Sequence, residues 1–137
     1  MKFTNRQFGE LEFDGKHILD FPEGIIGFGE LKKYLIVDDE DTQPFRWLVS
    51  LEDPDLSFAM IDPDVVAEGY RSTFITEEDT TAFLLVALKD PVVASTANLR
   101  SPLVIHNPIG QGRQLILEDE SLSMRYPLFA RRTEQVE

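Results

Sequence analysis

The 137-residue sequence contains no cysteine, which excludes disulfides, zinc–thiolate sites and thiol nucleophiles. It has no run of about 18 apolar residues, the length needed to cross a bilayer, and its first residues lack the apolar core of a signal peptide. Only two histidines occur, His17 and His106, without metal-ligand or general-base spacing. We therefore expect a cytoplasmic protein without metal or cofactor, in which both histidines are ordinary strand or turn residues.

Positive charge is also scarce, because 13 Lys and Arg accompany 25 Asp and Glu, for a net charge of −12. The excess lies between Asp38 and Asp79, where thirteen acidic residues accompany only Arg46 and Arg71. Such a surface repels the phosphates of nucleic acids and anionic membranes. It attracts basic proteins, although acidic charge can also serve solubility alone. From the charge alone solubility is the favoured explanation, and a basic protein is the natural partner if the surface binds one.

The apolar pattern is mostly of period two, which is typical of half-buried strands. Strands are predicted around residues 11–13, over 45–51 and 56–60 as a hairpin, over 81–88 as a central strand covered on both faces, and over 103–105 and 114–117. Short helical turns are predicted over 30–34 and 76–79. Many short strands separated by turn residues predict an all-β, mainly antiparallel, barrel-like single domain over residues 1–130. Residues 131–137 are predicted to be a flexible tail.

Acidic residues near prolines offer the main alternative to a binding role. Asp53 with Asp55, and Asp62 with Asp64, are carboxylate pairs of the kind used in acid–base hydrolysis. Asp beside Pro is also ordinary turn chemistry, so we favour turns and keep a small hydrolase as an alternative. Residues 38–41 lack the mid-loop glycine and distant glutamate of a calcium-binding EF-hand, which predicts a solvated loop.

The segment FPEGIIGFG, residues 21–29, is the most distinctive stretch of the chain. Its GIIG matches the GXXG clamp of RNA-binding KH domains, but the basic neighbours and the βααβ context are missing, so an RNA-binding module is a second alternative. We expect the glycines to form backbone turns, with Ile25, Ile26 and Phe28 covering the core or one end of the barrel. The other interpretation is an exposed apolar loop that binds a partner.

Taken in order, these motifs resemble the flagellar assembly factor family FliW. The matching segments are residues 21–28, Lys33-Tyr34, residues 45–51 with Asp53-Pro54 and Phe58, residues 96–105, residues 114–117, and Tyr126-Pro127-Leu128. They span nearly the whole chain. The sequence departs from the family pattern at His106-Asn107, where an Ile-Asn pair is expected, and over residues 65–79.

The resemblance implies a small β-barrel-like fold and a non-enzymatic regulator that binds two proteins, the translational repressor CsrA and flagellin. Flagellin, bound through its helical C-terminal region, would sequester the protein and so release CsrA to silence flagellin mRNA. CsrA is a small basic RNA-binding dimer. The resemblance implies a contact outside its RNA groove, whereas the acidic charge alone favours RNA mimicry.

The candidate partner-binding residues follow from the apolar loop and from the acidic stretch. They are Ile25, Ile26 and Phe28 for flagellin, and Asp62, Asp64, Glu68, Glu77, Glu78 and Asp79 for the attraction of CsrA. No direct contact with nucleic acid or membrane is expected.

Overall fold

Short strands are the main regular elements of the computed structural model, which describes residues 1–67, 69–70, 74 and 78–129. The strands are β1 (Lys2–Asn5), β2 (Gly9–Glu12), β3 (Leu19–Asp20), β4 (Lys33–Asp38), β5 (Arg46–Ser50), β6 (Ser57–Ile61), β7 (Thr80–Ala87), β8 (Thr96–Ala97), β9 (Leu103–His106), β10 (Gln111–Gln114) and β11 (Tyr126–Pro127). One helical turn, α1 (Pro63–Val66), follows β6, and 3-10 turns cover Gly15–His17, Glu40–Thr42, Val92–Ala94 and Asn107–Ile109.

Seven of the strands close into a barrel. Their order is β7-β6-β5-β4-β3-β10-β9, and β9 pairs again with β7. Neighbouring strands are antiparallel except β3 and β10, which are parallel and meet at Gln111 and Asp20. A closed ring with an odd number of strands cannot alternate direction throughout, so one parallel pair is a geometric necessity. The expected barrel-like, mainly antiparallel fold is confirmed.

The alternation of strand direction defines two ends of this barrel. At the upper end, β4, β6 and β9 finish and β3, β5, β7 and β10 begin. At the lower end, β3, β5, β7 and β10 finish and β4, β6 and β9 begin. Each loop between antiparallel neighbours therefore belongs to one end only. This division decides which side chains can act together on a partner.

One apolar cluster fills the inside of the barrel. Its buried members are Phe21, Ile25, Tyr34, Leu48, Met60, Phe83, Leu103 and Ile105. Strand side chains alternate between the two faces of a sheet, so Leu48 and Met60 point inward while their neighbours Trp47 and Ala59 point outward. Phe21 lies against Gly112, where any Cβ would come within 2.4 Å of the Phe21 ring.

Two layers cover the outer face of the barrel. The hairpin of β1 and β2 lays Phe8 and Leu11 on Trp47 and Val49 of β5. The outer face of β6 and β7 is covered by residues from the β6–β7 connection and from the chain after β10; they include Val66, Tyr70, Phe74, Leu117, Leu122 and Tyr126. The strand β5 is therefore buried on both faces, and the prediction that it is half-buried is wrong.

Several local predictions are confirmed and others need correction. The β5–β6 hairpin and the central strand β7 are present, and Phe83 and Leu84 of β7 are buried on opposite faces. No helical turn occupies residues 30–34, because Lys33 and Tyr34 pair with β3 instead. The strand predicted at 114–117 lies earlier, at Gln111–Gln114, opposite β9. The tail predicted at residues 131–137 lies outside the described residues, as do Thr76 and Glu77 of the predicted turn at 76–79.

Candidate partner-binding surfaces

Most of the described acidic residues between Asp38 and Asp79 lie at the upper end. The strand β4 runs into residues 38–41, β6 ends one residue before Asp62, and β7 begins one residue after Asp79. All three places are at the upper end, so chain segments distant in sequence bring their carboxylates to one surface. We call this surface the acidic end; its members are Asp38, Asp39, Glu40, Asp41, Asp62, Asp64, Glu78 and Asp79.

Little positive charge compensates the acidic end. The Arg46 side chain donates from Nε to Asp38 Oδ1 at 2.5 Å and from Nη2 to Asp38 Oδ2 at 3.1 Å. Its guanidinium also lies 5.4 Å from the centre of the Phe83 ring, at the mouth of the barrel. Among the described residues, Asp38 is the one member of the acidic end that forms an ion pair. The other carboxylates are exposed or half-exposed, and their field attracts cationic surfaces.

Acids of the same sequence stretch lie at the lower end, but they are engaged locally. The Glu52 carboxylate accepts hydrogen bonds from the backbone N–H groups of Lys32 at 2.5 Å and Lys33 at 2.9 Å. These two bonds hold the pKa of Glu52 below its ordinary value. Asp55 Oδ1 lies 3.6 Å from Arg6 Nη1. The lower end therefore presents less unpaired negative charge than the sequence suggests.

The two carboxylate pairs proposed for acid–base chemistry are turn caps. Asp53 Oδ1 accepts a hydrogen bond from the backbone N–H of Asp55 at 3.0 Å, and Asp62 Oδ1 accepts one from Asp64 at 2.9 Å. Asp62 is the N-cap of α1, which begins at Pro63. Each pair is thus organised around a local backbone turn, as the turn interpretation predicts.

The predicted steering residues are only partly described by the structure. Asp62, Asp64, Glu78 and Asp79 are exposed and belong to the acidic end. Glu68 and Glu77 lie outside the described residues.

The connection between β3 and β4 crosses the lower mouth of the barrel. Phe21 and Ile25 point inward, with 0% and 2% of their surface exposed, whereas Ile26 and Phe28 are 59% and 39% exposed. The loop therefore combines the two sequence interpretations, because Ile25 covers the core while Ile26 and Phe28 form an apolar surface. Ile25 supports this surface from inside, and its side chain is not accessible to a partner.

The exposed apolar loop is held firmly in place. A Cβ at Gly24 would lie 2.6 Å from the backbone of the opposing turn, and its φ of +68° also favours glycine. The backbone N–H of Ile26 donates to Gln114 Oε1 on β10 at 2.8 Å. The Phe28 ring packs edge-to-face on Phe58 of β6, with centroids 5.3 Å apart. Because β10 and β6 lie on opposite walls of the barrel, the loop is anchored on both sides.

Further exposed apolar side chains lie at the lower end, and the sequence analysis missed them. Leu88 follows β7, Val92 and Val93 lie in the 3-10 turn after it, and Ile116 lies two residues beyond β10. They stand in irregular segments without apolar periodicity, so no pattern distinguishes them from scattered surface residues. We call this surface the apolar end; its members are Ile26, Phe28, Leu88, Val92, Val93 and Ile116.

The remaining candidate groups show no organised chemistry. His17 ends a 3-10 turn, where its Nδ1 accepts a hydrogen bond from the Asp14 backbone N–H at 3.2 Å, and His106 is a strand residue of β9. Within the described part of the chain, no cluster of three or more His, Cys, Asp or Glu side chains is placed to hold a metal ion. None of the helices described is long and apolar enough to cross a membrane.

A closed barrel with an acidic end and an apolar end defines the chain as a small β-barrel protein with two chemically different surfaces. A family model described as FliW protein matches residues 2–128. The chain belongs to the FliW family of flagellar assembly factors, as its sequence motifs indicate.

Individual relatives agree with this assignment. The flagellar assembly factor FliW of Bdellovibrio bacteriovorus is 31% identical over 146 residues, which covers 99% of this chain and 83% of the relative. The one from Caldicellulosiruptor saccharolyticus is 37% identical over 135 residues, with coverages of 91% and 88%. A crystal structure of the flagellar assembly factor FliW superposes with a TM-score of 0.84 at 31% identity, and the match covers 94% of this chain and 97% of that one.

Proposed function

We propose that this chain is a non-enzymatic, cytoplasmic regulator of flagellum assembly, which binds and antagonises the translational repressor CsrA and is itself sequestered by flagellin. Membership of the FliW family supports the role in flagellar assembly. The acidic end is the feature that supports the CsrA interaction. Carboxylates from three connections lie together there, and Arg46 is the arginine that pairs with one of them. A small basic protein complements this surface in sign.

The acidic end acts mainly on the encounter with CsrA. Exposed charges steer an oppositely charged partner and raise its association rate, while the dissociation rate depends on short-range contacts. Asp62, Asp64, Glu78 and Asp79 are the described residues that contribute to this steering. Their fields add, because they lie on one end of the barrel and are not neutralised by ion pairs with described residues.

The antagonism of CsrA works outside its RNA groove. The family resemblance supports this mechanism, in which the bound regulator weakens RNA binding without occupying the groove. Such coupling is reciprocal, so RNA must weaken the binding of the regulator by the same factor. RNA mimicry would instead require complete mutual exclusion.

The test adds increasing amounts of this protein to a complex of CsrA with labelled leader RNA. The fluorescence anisotropy of the RNA reports how much of it stays bound to CsrA. We expect the apparent RNA affinity to fall and then reach a finite plateau, because a ternary complex forms. Analytical ultracentrifugation should detect that complex as one species containing all three components. An RNA affinity that falls without limit, with no ternary species at any RNA concentration, would contradict the proposed mechanism and favour mimicry.

A further inference from the structure

The edge of β2 that faces away from β1 has no partner strand among the described residues. Met1 and Phe13, at the open end of the hairpin, exchange two main-chain hydrogen bonds of 2.9 and 3.0 Å. Bonded and non-bonded pairs alternate along an antiparallel ladder, so Glu10 and Glu12 belong to non-bonded pairs. Their backbone N–H and C=O groups therefore point away from β1 and form a short row of unpaired donors and acceptors.

A groove of about 420 Å³ runs along this edge, between β2 and the outer face of β4. Glu12 and His17 line it together with six apolar residues, which are Leu11, Phe13, Leu19, Leu35, Ile36 and Val37. A strand added to β2 would lie about 4.8 Å from it and therefore over this groove. Alternate side chains of that strand would point into the groove, where apolar groups fit.

The opposite face of the hairpin favours a cation beside β2. The side chains of Glu10 and Glu12 are exposed on this face, where Lys2 Nζ lies 3.5 Å from Glu10 Oε1 and 3.6 Å from Glu12 Oε1. One lysine shared by two carboxylates leaves a negative charge uncompensated. The side chains of an added strand would lie directly beside these carboxylates, and cross-strand pairs of opposite charge stabilise a sheet.

We propose that the free edge of β2 binds an extended segment of a second protein, which adds to the hairpin as an antiparallel third strand. The segment alternates apolar residues, which enter the groove, with Lys or Arg residues, which lie opposite Glu10 and Glu12. Unpaired backbone groups supply the affinity of strand addition, and alternate side chains supply its specificity. The site lies on the wall of the barrel, apart from both ends, and the inference is independent of the proposed function.

Charge and sequence disfavour this chain itself as the occupant. Two β2 edges paired across a two-fold axis would set Glu10 and Glu12 of one copy against those of the other, and like charges directly opposite are destabilising. The C-terminal residues 130–137 contain two basic and two acidic residues, with Ala130 and Val136 as their apolar members. They lack the alternation of apolar and basic residues that the edge selects.

A synthetic peptide of sequence Val-Lys-Val-Lys-Val-Lys-Val, labelled with fluorescein, is the probe. In the antiparallel arrangement the N–H groups of lysines opposite Glu10 and Glu12 face β2, while those of the valines face away. Methylation of the backbone nitrogens of the three lysines should weaken binding at least about tenfold, because hydrogen bonds to β2 are lost. The same change at three valines should weaken it less than about threefold. Both peptides carry the same charge, so attraction to the acidic end is equal for both.

Variants of the protein locate the bound peptide on β2. Glu12→Pro removes an outward N–H and places a ring at the free edge, so it should weaken binding at least about tenfold. Thr4→Pro makes the matched change on the opposite edge of the hairpin, and Glu12→Gln removes only the charge. Each of these two controls should weaken binding less than about threefold. Trp47 fluorescence and the melting temperature verify that each variant is folded.

Fluorescence anisotropy at about 0.15 M salt measures all affinities. Equal affinities for the two methylated peptides would overturn the inference even if the proline variant does not fold, and so would a failure of the unmodified peptide to bind. Sedimentation of the wild type as a dimer that Glu12→Pro dissociates would identify a second copy as the occupant and overturn the inference as well.

Discussion

At the scale of single residues, two buried tyrosines differ in one hydrogen bond. Burial raises the pKa of Tyr34 and of Tyr70 to about 12, with a smaller contribution to Tyr34 from the charge of Glu52. The Tyr70 hydroxyl donates to the carbonyl of Leu99. The Tyr34 hydroxyl, inside the barrel, has no hydrogen-bond partner among the described residues. A buried hydroxyl without a partner opposes folding, whereas a bonded one is close to neutral or favourable.

This difference predicts opposite effects of the same substitution. Tyr34→Phe should leave the free energy of unfolding unchanged or raise it by about 1 kcal/mol, because it removes an unsatisfied polar group. Tyr70→Phe should lower it by about 1–2 kcal/mol, because the Leu99 carbonyl loses its donor. Urea denaturation at pH 7 measures both values. A loss above about 1 kcal/mol for Tyr34→Phe would show that the hydroxyl is bonded in solution.

The same two variants should also differ from the wild type in alkali. A tyrosine with a raised pKa contributes stability that is complete below its unfolded-state pKa, near 10, and is lost as the pH rises towards about 12. The unfolded chain loses the proton first, so alkali favours unfolding. Each Phe variant should therefore lose less stability than the wild type between about pH 10 and 12. Unfolding curves across this range provide the measurement.

At the scale of elements, the β1–β2 hairpin is a cover for the outer face of β5. Phe8 packs edge-to-face on Trp47 with ring centroids 5.6 Å apart, and Leu11 lies in the same cluster. The hairpin is also fastened by the Arg6 N–H, which donates to the Pro54 carbonyl at 2.8 Å. A two-stranded hairpin alone is marginally stable in water, so these contacts keep it folded on the barrel.

Removing the central ring of this contact should loosen the hairpin. Phe8→Ala should lower the free energy of unfolding by about 2–3 kcal/mol, since Phe8 is only partly buried and a fully buried ring costs more. Trp47 is the single tryptophan of the chain, so its emission should shift to longer wavelength as water reaches the indole. Phe28→Ala, at the lower mouth, is the control and should leave the emission unchanged. A wild-type spectrum for Phe8→Ala would show that the hairpin does not protect Trp47.

The elements that sequence analysis found are those with local signals. The β5–β6 hairpin has alternating apolar residues around an Asp-Pro-Asp turn, and β7 has an uninterrupted apolar run. By contrast, β3 and β8 have two residues each and exist only because neighbouring strands pair with them. The strand β10 contains Gly112, which locally disfavours a strand. Its position is explained by Phe21, whose ring occupies the space that a side chain at Gly112 would need.

The candidate surfaces show the same limit of sequence analysis. Glu52 and Asp62 belong to one acidic stretch, yet β6 runs between them and carries them to opposite ends of the barrel. Ile26 and Ile116 are distant in sequence, yet Gln114 links their segments. Residue type and order predicted that a partner would be positively charged, and they predicted the apolar loop. Which residues act together depends on strand direction and register, which are properties of the closed barrel.

At the scale of the whole molecule, charge and apolar surface are separated along the barrel. Among the described residues the acidic end has one ion pair, between Asp38 and Arg46. At the lower end Asp55 lies near Arg6, Asp20 lies near Lys33, and Glu52 accepts two backbone N–H bonds. A basic partner is therefore oriented towards the upper end before contact. The lower end has more exposed large apolar side chains than the upper end among the described residues.

Neutralising the acidic end should therefore affect one partner only. The variant combines Asp62→Asn, Asp64→Asn, Glu78→Gln and Asp79→Asn. Asn at position 62 retains an oxygen that can cap α1, so the fold should be preserved. We expect association with CsrA to slow by about threefold to tenfold at low salt and to depend less on ionic strength, with a smaller change in the dissociation rate. Flagellin affinity should stay within about twofold of the wild type, because apolar contacts are screened little by salt.

A second quadruple variant separates local charge from total charge. Glu23, Glu30, Glu118 and Glu120 become Gln in this control, which removes the same number of charges from outside the acidic end. Long-range steering depends on where the charges lie, because screening in salt limits each field to about 10 Å at 0.1 M. The control should therefore keep most of the wild-type association rate with CsrA in stopped-flow measurements at several salt concentrations. If both variants slow association equally, total charge governs the encounter, and the acidic end has no special part in attracting the repressor.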